Sequence, residues 1–114
     1  MESPTQEINV ASRTAVENHG RQILAYEAGE TIIRLGEDSR YACRLISGTA
    51  RVLRDGDVVA TVRPGEIFGA IAAITGGKRI ASVIAADNCI VELIEERDFK
   101  NMLQEDASLL DKIL

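Results

Sequence analysis

The stretch Ala50-Arg51-Val52-Leu53-Arg54-Asp55-Gly56-Asp57-Val58-Val59-Ala60-Thr61-Val62 decides the fold class. Asp-Gly between two strand-like runs is the signal of a tight hairpin turn with positive φ at both central positions. In the first arm Ala50 and Val52 alternate with Arg51 and Leu53, giving one apolar and one mixed face. Outward from this hairpin the same grammar recurs. Short apolar runs occupy Ile23–Tyr26, Thr31–Leu35, Tyr41–Ile46, Ile67–Phe68, Ala81–Ala85 and Cys89–Ile94. Turn signals separate them at Ala28-Gly29, Gly36-Glu37-Asp38, Ser47-Gly48, Pro64-Gly65, Gly76-Gly77 and Asp87-Asn88. Many short strands at this spacing predict an all-β barrel or sandwich, not a parallel sheet with crossover helices.

The composition fits that class. A chain of 114 residues, 46% hydrophobic and 27% charged, is long enough for one core and too apolar for a disordered segment. No apolar run approaches the ~20 residues needed to span a bilayer, and Met1–Asn9 has no apolar signal core. A cytoplasmic protein without a membrane segment is therefore expected. The formal net charge of −5 argues against a nucleic-acid binder, because phosphate neutralisation needs clustered cations. Cys43 and Cys89 lie far apart in apolar runs and read as buried thiols. His19 is the single histidine, which removes multi-histidine metal sites and a cupin-type enzyme. With no nucleophile–base pair or metal cluster, an enzyme is not expected.

Three segments follow: 1–20 as a helical or flexible N-terminal piece, 21–95 as the β domain, and 96–114 as C-terminal helices. Phe99, Met102 and Leu103 share one helical face, continued by Leu109, Leu110, Ile113 and Leu114. Glu96 or Asp98 suits the first turn, and Asp106 is placed to cap a second helix near Ala107. The apolar face is unfinished at Leu114, as for a helix that runs on or one that meets a partner.

The stretch that carries chemistry is Pro64 to Ser82. It combines a tight turn, a short strand, Gly69, an alanine-rich helical turn over 69–75, a glycine loop, then Lys78, Arg79 and Ser82. A helix start leaves backbone N–H groups unpaired and carries the positive end of the helix dipole. An arginine about ten residues on can fork two donors onto a phosphate or carboxylate. Together these outline a site for a small anion.

Here the chain resembles the cyclic nucleotide-binding domain, the β-roll module of catabolite activator protein-like regulators. The resemblance covers roughly Gln22 to Leu110. It rests on Ala28-Gly29-Glu30-Thr31-Ile32 with Gly36-Glu37, on Leu45-Ile46-Ser47-Gly48, and on Pro64-Gly65-Glu66-Ile67-Phe68-Gly69. It also includes the phosphate-binding cassette, Phe68 to Ser82 without a gap. The resemblance implies a mainly β fold: an eight-stranded antiparallel β-roll, jelly-roll-like, with a short cassette helix and C-terminal helices. It implies cyclic AMP or cyclic GMP as ligand, no cofactor, and a ligand-binding set of Phe68, Gly69, Ala70, Ile71, Ala72, Arg79, Ile80, Ala81 and Ser82. In that set Arg79 would hold the cyclic phosphate, shared by Ser82 and by amides near Ile71, Ala72 and Ala81, while Gly69 allows close approach. The C-terminal helices would form a lid that relays binding to a fused output domain or to a second copy in a homodimer.

Two positions depart from the family's pattern. Its glutamate, which binds the ribose 2′-hydroxyl, is Ala70, and its usual proline is Lys78. Losing a charged hydrogen bond costs about 1.5–3 kcal/mol, on the order of 10- to 150-fold in affinity. Both changes make the pocket more cationic, which would suit a ligand of greater negative charge. The alternative reading is a β-roll with a degenerate pocket that serves protein–protein interaction or dimerisation.

Overall fold

A computed structural model describes residues 15–18, 21–38, 40–70 and 77–112. Among them the strands are β1 (Ala15–Asn18), β2 (Arg21–Tyr26), β3 (Thr31–Ile33), β4 (Tyr41–Ser47), β5 (Ala50–Arg54), β6 (Asp57–Val62), β7 (Ile67–Phe68), β8 (Ser82–Ala85) and β9 (Cys89–Glu95). Helix α1 (Glu96–Glu105) and a 3-10 turn (Ala107–Lys112) follow. Each of the eight runs expected from the sequence forms a strand. Together with β1 they build two antiparallel sheets, β1-β2-β9-β4-β7 and β3-β8-β5-β6, which is the β-roll.

The N-terminal expectation is corrected in its described part. Ala15–Asn18 is neither helical nor loose but pairs with β2, Ala15 opposite Leu24 and Asn18 opposite Arg21. Backbone pairing along an open sheet edge overrides a weak side-chain pattern. His19 and residues 1–14 lie outside the described residues, as does the expected cassette helix apart from Gly69 and Ala70.

Turn chemistry sets the strand ends. The β5–β6 hairpin turns at Asp55 (φ 54°) and Gly56 (φ 85°), as the Asp-Gly signal demands. Three other turns share one device. In Glu27–Glu30, Arg34–Glu37 and Arg63–Glu66 a glycine in third place has φ of 90°, 85° and 92°. The glutamate in fourth place donates its N–H to the first residue's carbonyl (3.0–3.1 Å). Its carboxylate then accepts the first residue's N–H, at 2.7, 3.4 and 2.7 Å respectively. The carboxylate thus satisfies a backbone donor that the turn would otherwise leave open.

The core has two parts. Leu24, Ile33, Cys43, Leu45, Phe68, Val83 and Val91 meet with their neighbours between the sheets. The alternate residues of β4, β7 and β9 point the other way: Ala42, Ile67 and Ile94 join Ala70, Phe99 and Leu109 beneath α1. Those strands bury both faces, which is why they read as continuous apolar runs rather than strict alternation. Glu92, also buried on β9, pairs with Arg44 on the adjacent strand at 3.5 Å. Asp106 ends α1, and its carboxylate accepts the Ser108 N–H at 3.1 Å, the cap expected from the sequence.

Gly48, at the β4–β5 turn, has φ 91°, and a Cβ there would overlap the Asn88 carbonyl oxygen and lie 2.9 Å from Cys89 Cα and Sγ. Gly56 has a similar φ but open space around it. Gly56→Ala should therefore cost only backbone strain, about 1–3 kcal/mol. Gly48→Ala should cost clearly more in a urea unfolding titration; equal losses would refute this account of the β4–β5 turn.

Candidate functional site

A cavity of about 240 Å³ opens between the four-stranded sheet and the β7 end of the other. Its floor is one cross-strand row. Ile33 on β3 pairs with Val83 on β8, Val83 with Val52 on β5, and Val52 with Ala60 on β6. The register that pairs the Asp55-Gly56 hairpin also brings these four apolar side chains into line. Phe68, Gly69, Arg79, Ile80 and Ala81 form the wall, and Arg54 and Val59 stand at the hairpin end.

Arg79 is the unusual residue of this wall, with only 4% of its surface exposed. Its Nη1 donates to the Gly69 carbonyl at 2.6 Å and its Nη2 to the Tyr41 carbonyl at 2.7 Å. The guanidinium carbon lies 5.0 Å from the centre of the Tyr41 ring, within cation–π range. The backbone of Arg79 is held as firmly. Its N–H donates to the Glu37 carbonyl and its carbonyl accepts the Gly36 N–H, both at 2.8 Å. The Arg34–Glu37 turn is thus the buttress of the arginine, and it is tied to β8 as well, because Ser82 Oγ accepts the Leu35 N–H at 2.9 Å.

Gly69 is required twice over. Its φ is 72°, a region disfavoured for residues with a Cβ. A Cβ there would sit 2.7 Å from Arg79 Nη1 and 2.8 Å from Ile33 Cδ1. The arginine can reach this carbonyl because nothing projects from Cα.

The residues named from the sequence therefore separate. Phe68, Gly69, Arg79, Ile80 and Ala81 line the cavity. Ser82 is half-buried beside it, and its oxygen serves the Leu35 amide. Ala70 is fully buried in the cluster under α1 and is not among the lining residues. Ile71 and Ala72 lie outside the described residues. Lys78 is exposed. The floor residues Ile33, Val52, Ala60 and Val83, with Arg54 and Val59, were not singled out from the sequence. The apolar face of the hairpin was the signal for Val52, but the alignment of four strands in one row is set by pairing register.

The electrostatics follow from burial. Cys43, enclosed on the core side of β4, has its thiol pushed up to about 12 by burial, which the nearby Arg79 cation only partly opposes. Burial raises the Tyr41 hydroxyl as well, again against the pull of Arg79. Neither group ionises at neutral pH, so Arg79 supplies positive charge to the cavity wall. Chemically, the cavity suits an anion with an apolar or aromatic body.

A β-roll with a guanidinium in the wall of an apolar inter-sheet cavity is the arrangement these residues build. Residues 23–106 match the cyclic nucleotide-binding domain, and the chain belongs to that family. A cAMP-dependent protein kinase regulatory subunit of Yarrowia lipolytica is 30% identical over 77 residues, covering 68% of this chain and 20% of that protein. The solved structure of cAMP-bound PfPKA-R superposes with a TM-score of 0.73 at 30% identity, covering 79% of this chain and 32% of that one. The catabolite activator protein of Thermus thermophilus shares the fold, with a TM-score of 0.69 at 23% identity over 81% of this chain and 46% of that one. The chain spans about a fifth of the length of the curated relatives it matches, 20% in each of two regulatory subunits.

The Cys43 thiol gives a pH prediction. Its folded value lies above the ordinary value of 9.0, so the folded state holds that proton more tightly. The stabilisation is complete below pH 9 and is lost as pH rises toward about 12. Urea titrations across this window should show stability falling, by up to about 1.4 kcal/mol per pH unit for one such group. Cys43→Ala should flatten the slope, leaving the part due to Tyr41 and Cys89. An unchanged slope would refute the assignment.

Proposed function

We propose that this domain is a regulatory sensor that binds a cyclic nucleotide in the inter-sheet cavity, with the phosphate on Arg79 and the base against the apolar floor. The observation that carries this reading is the placement of a 4%-exposed guanidinium on the cavity wall, next to a glycine with positive φ. Family membership supports it, as do relatives whose names and bound ligands refer to cAMP.

Arg79 donates here to two neutral carbonyls. A phosphate offers the same fork a charged acceptor, and charge-assisted hydrogen bonds are roughly twice as strong as neutral ones. Burial amplifies the difference, because the attraction is screened less than in water. The Gly36 and Glu37 backbone bonds hold Arg79 in place while its side chain changes partners. Ser82 retains its hydroxyl proton as a donor after accepting from Leu35.

Relay runs through the second cluster. Ala70, one residue beyond Gly69, shares that cluster with Phe99 of α1 and with Leu109. Movement of the cassette on binding is thereby felt at the C-terminal helices, which bias an output segment or partner. The domain acts by binding, not catalysis, in a cytoplasmic protein; among the described residues no helix is long and apolar enough to cross a membrane.

Isothermal calorimetry with cyclic AMP and cyclic GMP should give saturable binding. Arg79→Gln should weaken it by roughly 10- to 150-fold, the loss expected for a charged hydrogen bond. Binding that is absent at millimolar ligand, or unaffected by Arg79→Gln, would overturn the reading.

A further inference from the structure

We propose that Tyr41 is a positioning residue of the site: its ring holds the Arg79 guanidinium in the cavity wall before a ligand arrives, and stays with it once a phosphate has replaced the carbonyls. This rests on the cyclic-nucleotide reading above and adds a residue to the same site.

Partners of two kinds hold the guanidinium. The Gly69 and Tyr41 carbonyls accept Nη1 and Nη2 at 2.6 and 2.7 Å. The Tyr41 ring has its centre 5.0 Å from the guanidinium carbon. A carbonyl takes one N–H direction, and a phosphate oxygen can take its place with a stronger, charge-assisted bond. A ring face attracts the cation as a whole, through its quadrupole. It does not compete in kind with a phosphate oxygen. The hydrogen bonds are therefore exchangeable, while the ring contact persists through the exchange.

Strand pairing puts the ring in this place. Tyr41 opens β4 and pairs with Glu95 of β9. Cys43, two residues on and on the same face of β4, pairs with Phe68 of β7, the residue before Gly69. One strand thus carries the ring and registers the segment whose carbonyl Arg79 holds. Tyr41 packs against the inter-sheet core and is not among the residues that line the cavity. Its effect on binding accordingly passes through Arg79.

The gain lies in order that exists before binding. An arginine side chain has many rotamers, and immobilising one on binding weakens affinity. Arg79 is already fixed, at 4% exposure. Without the ring the buried cation loses part of its compensation, and the cavity it lines gives it a route to water. A ligand would then have to immobilise it.

Calorimetry with cyclic AMP on the 114-residue chain compares the wild type with Tyr41→Phe and Tyr41→Leu. Tyr41→Phe keeps the ring and should bind within about 2-fold of wild type. Tyr41→Leu should bind about 3- to 12-fold more weakly, the cost of immobilising one long side chain. Wild-type affinity in folded Tyr41→Leu, the result for a purely structural tyrosine, would overturn the proposal. Tighter binding would overturn it too, by making the ring a restraint on Arg79. In both cases Arg79→Gln still weakening the wild-type affinity leaves the proposed function standing. No heat from the wild type at millimolar ligand would overturn both. A second measurement needs no substitution in the core. NMR should show nuclear Overhauser contacts between the Tyr41 ring and the Arg79 side chain both before and after cyclic AMP is added. Contacts that vanish when the ligand is added would overturn the proposal.

Discussion

A guanidinium with 4% exposure cannot be left to itself, because moving a cation out of water without compensating partners is prohibitively costly. The carbonyls of Gly69 and Tyr41 and the face of the Tyr41 ring provide that compensation. These partners come from three places in the chain. Gly69 follows β7, Tyr41 opens β4, and the Arg34–Glu37 turn grips the arginine backbone from outside the sheet. The cavity wall therefore exists only where strands from both halves of the chain have already come together. The cation holds that junction, and any anion entering the cavity competes for its fork.

Glycine and glutamate serve the same end in different ways. At Gly69 the missing Cβ lets Arg79 approach the backbone. In the Arg34–Glu37 and Arg63–Glu66 turns, glycine permits positive φ and the following glutamate returns its carboxylate to the turn's first amide. These carboxylates bind protein backbone and are removed from the cavity's chemistry. Among the described lining residues the side chains are cationic or apolar, in a chain whose net charge is −5. The overall charge sum gives no hint of this local field.

The strands that bury both faces join the cavity to the helices. Cys43 and Phe68 point toward the inter-sheet core, while their neighbours Ala42 and Ile67 point toward Phe99. Close packing means a shift of the segment after Gly69 has little room to be absorbed there. It is passed to α1. The Asp106 cap ends α1 and starts the next turn, so the C-terminal elements form a corner rather than one rigid rod.

The amino-acid order alone determined the strand inventory from Ile23 to Ile94, the Asp55-Gly56 hairpin, the Asp106 break and the family pattern around Phe68–Ser82. Each depends on local signals: alternation, turn residues, caps and short-range spacing. Only the tertiary structure decided that Ala15–Asn18 is a strand, since an open edge on β2 recruits it. The same holds for the Ile33–Val83–Val52–Ala60 floor, which needs the register of four strands, and for the inward-turned Arg79, whose acceptors lie 10 and 38 residues away. It also separated Ala70 from the cavity lining and placed it under Phe99. Long-range pairing and burial select among partners that a linear pattern leaves equivalent, and for that reason the identity of the arginine was legible while its surroundings were not.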